Sequence, residues 1–170
     1  MKAIFNLSDL STRLLKSSLI VISASALINN TAIAEPTNKL PIFADVTINN
    51  SFSPDPLAIK GMSGGKTPAK EISGTTETSP IGTCDGYVDP APNHKLTLNS
   101  KFDYLKLIVN SPQDTTLIIK GPGGTWCNND FDGKNPGMVG EWLKGTYEIW
   151  VGSDEKDKYY PYKLTITEVK

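Results

Sequence analysis

The sequence predicts an all-β protein, an antiparallel β-sandwich of jelly-roll-like type with one disulfide. Three observations predict this fold. Glycine and proline are abundant, with 14 and 12 residues in a chain of 170, which is typical of many short strands joined by turns. Several segments of strand length alternate apolar and polar residues. Beyond the N-terminal region, no stretch of ten or more residues places apolar side chains at helical spacing.

Residues 1–34 have the features of a secretory signal peptide. Lys2, Arg13 and Lys16 supply positive charge, an apolar run follows, and Ala32-Ile33-Ala34 offers a small-x-small cleavage site. The apolar run is shorter than the roughly 20 residues that span a bilayer. We therefore expect a secreted monomer, periplasmic or extracellular, without stable membrane insertion.

The mature part divides into two regions by composition. Residues 35–50 are expected to be a flexible N-terminal leader, and residues 51–170 to form the β-sandwich domain. Cys84 and Cys127 are the two cysteines of the chain. In an oxidising compartment an even pair most simply forms a disulfide, so we expect these two residues to be linked.

The strands are predicted in chain order from period-two alternation and β-branched content. Before Cys84, residues 40–43 and 57–59 offer one or two edge strands among Ser, Thr, Gly and Pro. After it, strands are predicted at residues 96–98, 102–109, 115–120, 146–151 and 162–169. In the fourth of these, Tyr147, Ile149 and Val151 should face the core, with Glu148 and Trp150 on the other face.

The order of these motifs resembles a known family. The segments that carry the resemblance are Phe102-Asp103-Tyr104, Asp114–Ile119 with the following Gly121–Gly124 turn, the acidic loop Asn128–Asp132, Gly145–Val151 and Tyr162–Ile166. Together they resemble the bacterial pre-peptidase C-terminal domain, a small secreted β-sandwich. They are also similar to uncharacterised secreted bacterial proteins that carry such a sandwich alone. The resemblance covers about residues 84–168, and it implies binding of calcium or of a polymer in some members.

The charge of the chain argues against nucleic-acid binding, and the lack of a nucleophile elbow argues against a serine hydrolase. The chain has 17 basic and 18 acidic residues, and Arg13 is its one arginine. This charge balance does not favour binding to nucleic acid, which requires clustered Lys and Arg. A serine hydrolase would have to use His94, and the glycines around Ser63 lack the strand-turn-helix context of a nucleophile elbow. A paired-carboxylate hydrolase is not ruled out by spacing, but Asp130 and Asp132 beside Asn and Gly are more typical of metal or turn residues. We therefore expect no enzyme and no catalytic residues.

The segment after Cys127 predicts a calcium site. Asn128, Asp130 and Asp132 alternate and are followed by Gly133, like the first half of a calcium loop. The second half departs from that pattern, so the predicted metal ligands are these three residues with Asn135. Asp114 or Glu141 are further candidates for completing the shell. The alternative is a plain solvated turn, because Asn, Asp and Gly are turn residues in their own right.

Aromatic side chains form the second candidate site. Trp126, Trp150, Tyr159 and Tyr160 are the predicted ligand-binding residues, since rings on a rigid sandwich bind sugars or extended peptides by stacking. The alternative is that Trp126 and Trp142 cover the ends of the core. The expected function is a non-catalytic, calcium-stabilised binding module for a polysaccharide or protein surface. The alternative function is a structural or inhibitory partner of an exported protease.

Overall fold

The computed structural model describes residues 42–75, 77–78 and 82–170. The predicted signal peptide and residues 35–41 of the predicted leader lie outside this part of the chain. One short helix, α1 (Ala69–Ser73), occurs among the described residues. The strands are β1 (Val46–Ile48), β2 (Leu57–Ser63), β3 (Thr67–Pro68), β4 (Glu77–Thr78), β5 (Gly82–Thr83), β6 (Tyr87–Val88), β7 (His94–Leu98), β8 (Phe102–Asn110), β9 (Thr115–Gly121), β10 (Gly124–Asn128), β11 (Gly137–Trp142), β12 (Gly145–Ser153) and β13 (Tyr160–Thr167).

Two sheets pack face to face, so the predicted β-sandwich is confirmed. One sheet has the order β11-β8-β13-β2, with antiparallel pairing throughout. In the other, β12 pairs with β7 along one edge and with β9 along the other. β10 extends this sheet beyond β9, and β6 and β3 continue it beside the end of β12. β4 and β5 form a separate two-stranded ribbon.

The core between the sheets follows from the alternation that the sequence shows. Tyr147, Ile149 and Val151 of β12 are buried in it, as predicted. On β8 and β13 the inward positions are likewise apolar and buried: Phe102, Leu105, Leu107, Val109, Tyr162, Leu164 and Ile166. Burial of each such side chain contributes about 1.5–3 kcal/mol to stability. Because a slip of one residue would move these side chains to the solvent face, their burial sets the register of the long strands.

A second apolar cluster lies on the opposite face of β9 and β12. It contains Ile118 and Trp150 together with the cysteines, which form the predicted disulfide Cys84–Cys127. Ala69 of α1 is buried in the same cluster. The helix and the disulfide therefore cover the outer face of this sheet.

Part of the expected flexible leader is a strand. β1 pairs in parallel with β7, with Val46 opposite Leu96, and Ile48 is buried in the core. This pair is parallel, in a sandwich that was expected to be antiparallel. The described fold thus begins before residue 51, because β7 offers β1 a hydrogen-bonding edge and the core accepts Ile48.

His94 and Tyr162 form a polar contact inside the core. The Tyr162 hydroxyl lies 2.7 Å from His94 Nε2, and His94 Nδ1 lies 2.9 Å from the Ala44 carbonyl oxygen. A neutral ring satisfies both contacts, donating to Ala44 and accepting from Tyr162. Burial lowers the pKa of His94, against the raising effects of the Ala44 hydrogen bond and Asp45. Burial also raises the pKa of Tyr162 well above its usual value.

Candidate functional site

The predicted calcium loop is tied together by its own backbone. The N–H groups of Phe131 and Asp132 donate to the Asn135 carbonyl, and the Asn135 N–H donates back to Asp132. Gly133, with φ of 59°, takes the left-handed conformation that this tight turn needs. These contacts are those of a turn, which was the alternative interpretation of the loop.

Two of the four predicted metal ligands accept hydrogen bonds from the backbone. Asn128 is buried, and its Oδ1 accepts the Gly137 N–H at 3.0 Å. Asn135 Oδ1 accepts the Ser111 N–H at 3.1 Å. These bonds hold the loop against the start of β11 and the end of β8. Calcium at Asn128, Asp130, Asp132 and Asn135 stays a prediction.

The two further candidates for that shell lie in different surroundings. Glu141 forms an ion pair with Lys101, with Oε2 and Nζ 3.1 Å apart. Partial burial, and then the neighbouring carboxylates of Asp154 and Asp130, raise the pKa of Asp114. Asp114 therefore faces acidic neighbours that the spacing of the loop did not reveal.

Of the predicted ligand-binding aromatics, Trp126 lies at a cleft and Trp150 does not. Trp150 is 4% exposed in the cluster around the disulfide, where it packs rather than faces solvent. Tyr159 is about half exposed, and its hydroxyl lies 3.5 Å from the Asp89 carboxylate. Tyr160 is half-buried. Neither tyrosine lines the cleft at Trp126.

The aromatic cleft has a volume of about 370 Å³. It lies at one end of the sandwich, and the side chains that define it are Trp126, Met138, Val139, Trp142, Leu143 and Tyr147. Val139 and Leu143 are 40% and 50% exposed, which is unusual for large apolar side chains grouped around a depression. An apolar concavity of this size is the usual form of a binding site.

Rigid ring packing forms the floor of the aromatic cleft. The Trp142 and Tyr147 rings meet edge to face with centroids 4.9 Å apart, and Trp126 lies 6.5 Å from Tyr147. Trp142 Nε1 donates to the Leu105 carbonyl, and the Tyr147 hydroxyl donates to the Leu143 carbonyl at 2.9 Å. The polar atoms of both floor rings thus have hydrogen-bond partners within the protein. The ring surfaces that line the cleft are apolar.

A glycine makes this floor possible. A Cβ on Gly121 would lie 2.2 Å from the Tyr147 ring, so any other residue there would displace the ring. Tyr147 follows the Gly-Thr pair at the start of β12, a motif on which the family resemblance rests. The sequence analysis predicted Trp126 as a site residue but not Val139 or Leu143. The available signal was that both are apolar residues outside the alternating pattern of the predicted core strands.

Comparison with known proteins identifies a relative. No protein-family model matches the sequence. An uncharacterised protein of Synechococcus elongatus is 31% identical over 106 residues, which are 60% of this chain and 78% of the relative. The chain belongs to the family of this protein.

Two solved structures are similar in fold. The pre-peptidase C-terminal domain of a Bacillus anthracis collagenase is 14% identical, with a TM-score of 0.42 over 76% of this chain and 100% of that chain. A periplasmic inhibitor of g-type lysozyme from Aeromonas hydrophila is 16% identical, with a TM-score of 0.38 over 76% of this chain and 98% of that one. The first of these two structures is a domain of the type that the sequence motifs resemble. Likenesses this distant say nothing about ligand or partner.

Proposed function

We propose that the protein is an exported, non-catalytic module that binds an apolar segment of another protein in the aromatic cleft. The observation that carries this proposal is the grouping of exposed Val139 and Leu143 around a floor of packed rings. Rigid aromatic pockets with apolar rims are typical of the anchor points of protein interfaces. Because the floor is held by internal hydrogen bonds, its side chains lose little conformational entropy when a partner binds.

A protein partner fits the aromatic cleft better than a polysaccharide. Sugar sites combine an exposed flat ring with polar groups that bind hydroxyls, whereas the polar atoms of Trp142 and Tyr147 already bind backbone carbonyls. Glu141 is the charged side chain at the rim, and it is paired with Lys101. The remaining surfaces that line the cleft are apolar and are therefore suited to an aliphatic or aromatic side chain.

The non-catalytic part of the proposal is supported by the surroundings of the candidate catalytic residues. His94 is 1% exposed, and both ring nitrogens have partners within the protein. Ser63 is fully buried in β2, so it lacks the exposure that a nucleophile needs.

Export is supported by the signal-like N-terminus and by the disulfide, a bond that persists in oxidising compartments. None of the helices in the described part of the chain is long and apolar enough to span a bilayer. Mass spectrometry of protein recovered from the periplasm or medium should find a chain that begins at Glu35. A chain that retains residues 1–34 there would contradict cleavage at this site.

The aromatic cleft is tested by selecting peptides from a displayed random library on the wild-type protein. We expect the selected peptides to share an apolar anchor and to lose binding at least about tenfold on Leu143→Asp, the loss of one well-placed anchor contact. The matched control is Tyr159→Asp, which places the same charge at a similarly exposed position outside the cleft. A panel of soluble oligosaccharides is titrated in parallel.

The outcomes separate the candidate functions. Equal loss of binding in both variants, or binding of an oligosaccharide that Leu143→Asp abolishes, would overturn the protein-partner proposal. The alternative of an exported protease as the partner predicts that the wild-type protein slows cleavage of a peptide substrate by that protease, and that Leu143→Asp does not.

A further inference from the structure

The aromatic cleft follows the edge of β11. Five consecutive residues of this strand, Met138–Trp142, line the cleft. Successive side chains of a strand point to opposite faces of its sheet, so a cleft on one face would be lined by alternate residues only. β11 is the last strand of its sheet in the described part of the chain. The cleft therefore lies beside an edge that no described strand covers.

Hydrogen bonding between β8 and β11 shows which backbone groups this edge presents. The Val109 N–H donates to the Pro136 carbonyl at 3.0 Å. The same register places Ile108 opposite Gly137. In an antiparallel pair of strands, hydrogen-bonded and non-hydrogen-bonded residue pairs alternate. The backbone groups of Gly137 and Val139 therefore point away from β8, toward the free edge.

The bond between Gly137 and Asn128 confirms this direction and marks the closed end of the cleft. The Gly137 N–H donates to Asn128 Oδ1 of β10 at 3.0 Å, across the free edge of β11. Two residues further along each strand, Trp126 and Val139 both line the cleft. The edges of the two sheets are thus joined at Asn128 and stand apart at Trp126. On this side, no strand among the described residues pairs with the N–H and carbonyl of Val139.

Gly140 leaves open space beside the same edge. By alternation it points to the same side of β11 as the buried Met138. A Cβ on Gly140 would meet no heavy atom within 4 Å, and its φ is not in the left-handed region, so the fold has room for a larger residue there. Glycine inside a strand is typical of a bulge or of close approach by another backbone. β11 has a bulge after Gly140, and the open space beside Gly140 also leaves room for a backbone.

The charges at the cleft favour an uncharged segment. Glu141 is the charged side chain that lines the cleft, and Lys101 pairs with it and with Asp103. A charged side chain that entered the ring floor would lose water without gaining an opposite charge. The residues of a partner that contact the floor should therefore be apolar.

We propose that the partner binds as an extended strand added to the free edge of β11. Its backbone hydrogen-bonds to the N–H and carbonyl of Val139, and its alternate, apolar side chains lie on the ring floor. In strand addition, main-chain hydrogen bonds supply affinity and pockets for alternate side chains supply specificity. A helix would leave the Val139 groups unpaired, because its own backbone groups are bonded within the helix. This mode of binding rests on the proposed function, since both use the aromatic cleft, and it adds the conformation of the partner.

The first test uses a peptide selected on the wild-type protein whose binding Leu143→Asp weakens at least about tenfold. Each backbone nitrogen of the peptide is methylated in turn, which removes its N–H, and the dissociation constant is measured by calorimetry. We expect the effects to alternate along the bound segment. Methylation should weaken binding about tenfold where the N–H faces β11, the scale of a lost hydrogen bond, and less than about threefold at the neighbouring residues.

The second test changes Val139 itself. Because its N–H does not bond to β8, proline at this edge position keeps the pairing with β8 intact. Val139→Pro removes the N–H, whereas the matched control Val139→Ala trims the side chain and keeps the N–H. We expect Val139→Pro to bind the peptide at least about fivefold more weakly than Val139→Ala. Melting temperatures show whether each variant folds, and the methylated peptides decide the result if Val139→Pro does not.

The outcomes separate strand addition from the proposed function. Effects of methylation that do not alternate, or that recur every three or four residues as on a helix, would overturn strand addition. Equal affinity of folded Val139→Pro and Val139→Ala for the peptide would also overturn it. In both cases the peptide still loses binding on Leu143→Asp, so the proposed function stands. If no selected peptide loses binding on Leu143→Asp, the aromatic cleft is not the binding site and both proposals fail.

Discussion

Two oxygen-rich regions of this protein differ in what their oxygens do. In the loop at residues 128–135, the amide oxygens of Asn128 and Asn135 accept backbone N–H groups and hold a turn. At the ends of β9 and β12, the carboxylates of Asp85, Asp114 and Asp154 line one small pocket, and none of them forms an ion pair within the described residues. Oxygens that accept backbone N–H groups stabilise the fold, whereas neighbouring carboxylates disfavour each other's charged forms.

Removal of the disulfide should have the largest effect on stability. The double variant Cys84→Ser with Cys127→Ser should lose about 4 kcal/mol of unfolding free energy, since the bond joins residues 43 positions apart. The bond also fixes the segments that carry Asp85 and Asn129, which directly follow or lie near the two cysteines. Urea denaturation measures the loss.

The oxidised and reduced wild-type proteins provide a second comparison that does not depend on the variant being folded. Reductant should lower the urea midpoint of the wild type and leave that of the double variant unchanged. A loss below 1 kcal/mol would contradict the stabilising role of the bond.

Asn128→Ala should have the next largest effect. It leaves the Gly137 N–H without its acceptor in a buried position, which costs about 2 kcal/mol. The measurement is the free energy of unfolding by urea, with Asp130→Ala as the exposed control in the same loop. If both variants lose less than 0.5 kcal/mol, Asn128 does not hold the loop as its hydrogen bond indicates.

The fold could be predicted where its causes are local. The alternation in β12 placed Tyr147, Ile149 and Val151 in the core, because period two and burial act on the same few residues. β1 could not be predicted as a strand, since Val46-Thr47-Ile48 is short and its pairing partner, Leu96, lies 50 positions away. The loop at residues 128–135 offered a calcium-like spacing, but spacing does not show which oxygens the backbone will use.

The residues of the candidate sites were harder to predict from the sequence, because segments that are far apart in the chain bring them together. Trp126 was predicted from its ring alone. Leu143 joins it only because the start of β10, the end of β11 and the start of β12 lie around the same cleft. Asp85, Asp114 and Asp154 come from three separate segments, so no motif in the sequence contains them. Their meeting point follows from the register of β9 with β12 and from the disulfide.

His94 extends the comparison to a buried polar group with all of its partners. Its pKa is lowered by burial, so the unfolded state binds a proton more readily than the folded state. Unfolding free energy should therefore be fully present above about pH 6.5 and fall as the pH drops, by at most about 1.4 kcal/mol per pH unit. His94 is the one histidine in the chain, so His94→Gln should remove this slope between pH 5 and 6.5.

Asp132→Asn should have the smallest effect, and it tests directly whether the loop at residues 128–135 binds calcium. The Asp132 side chain is exposed, and the turn uses its backbone N–H and carbonyl rather than its carboxylate. Unfolding free energy should change by less than about 0.5 kcal/mol, as for other surface substitutions, both with calcium and with EDTA. A loss that appears only with calcium would place the ion in the loop.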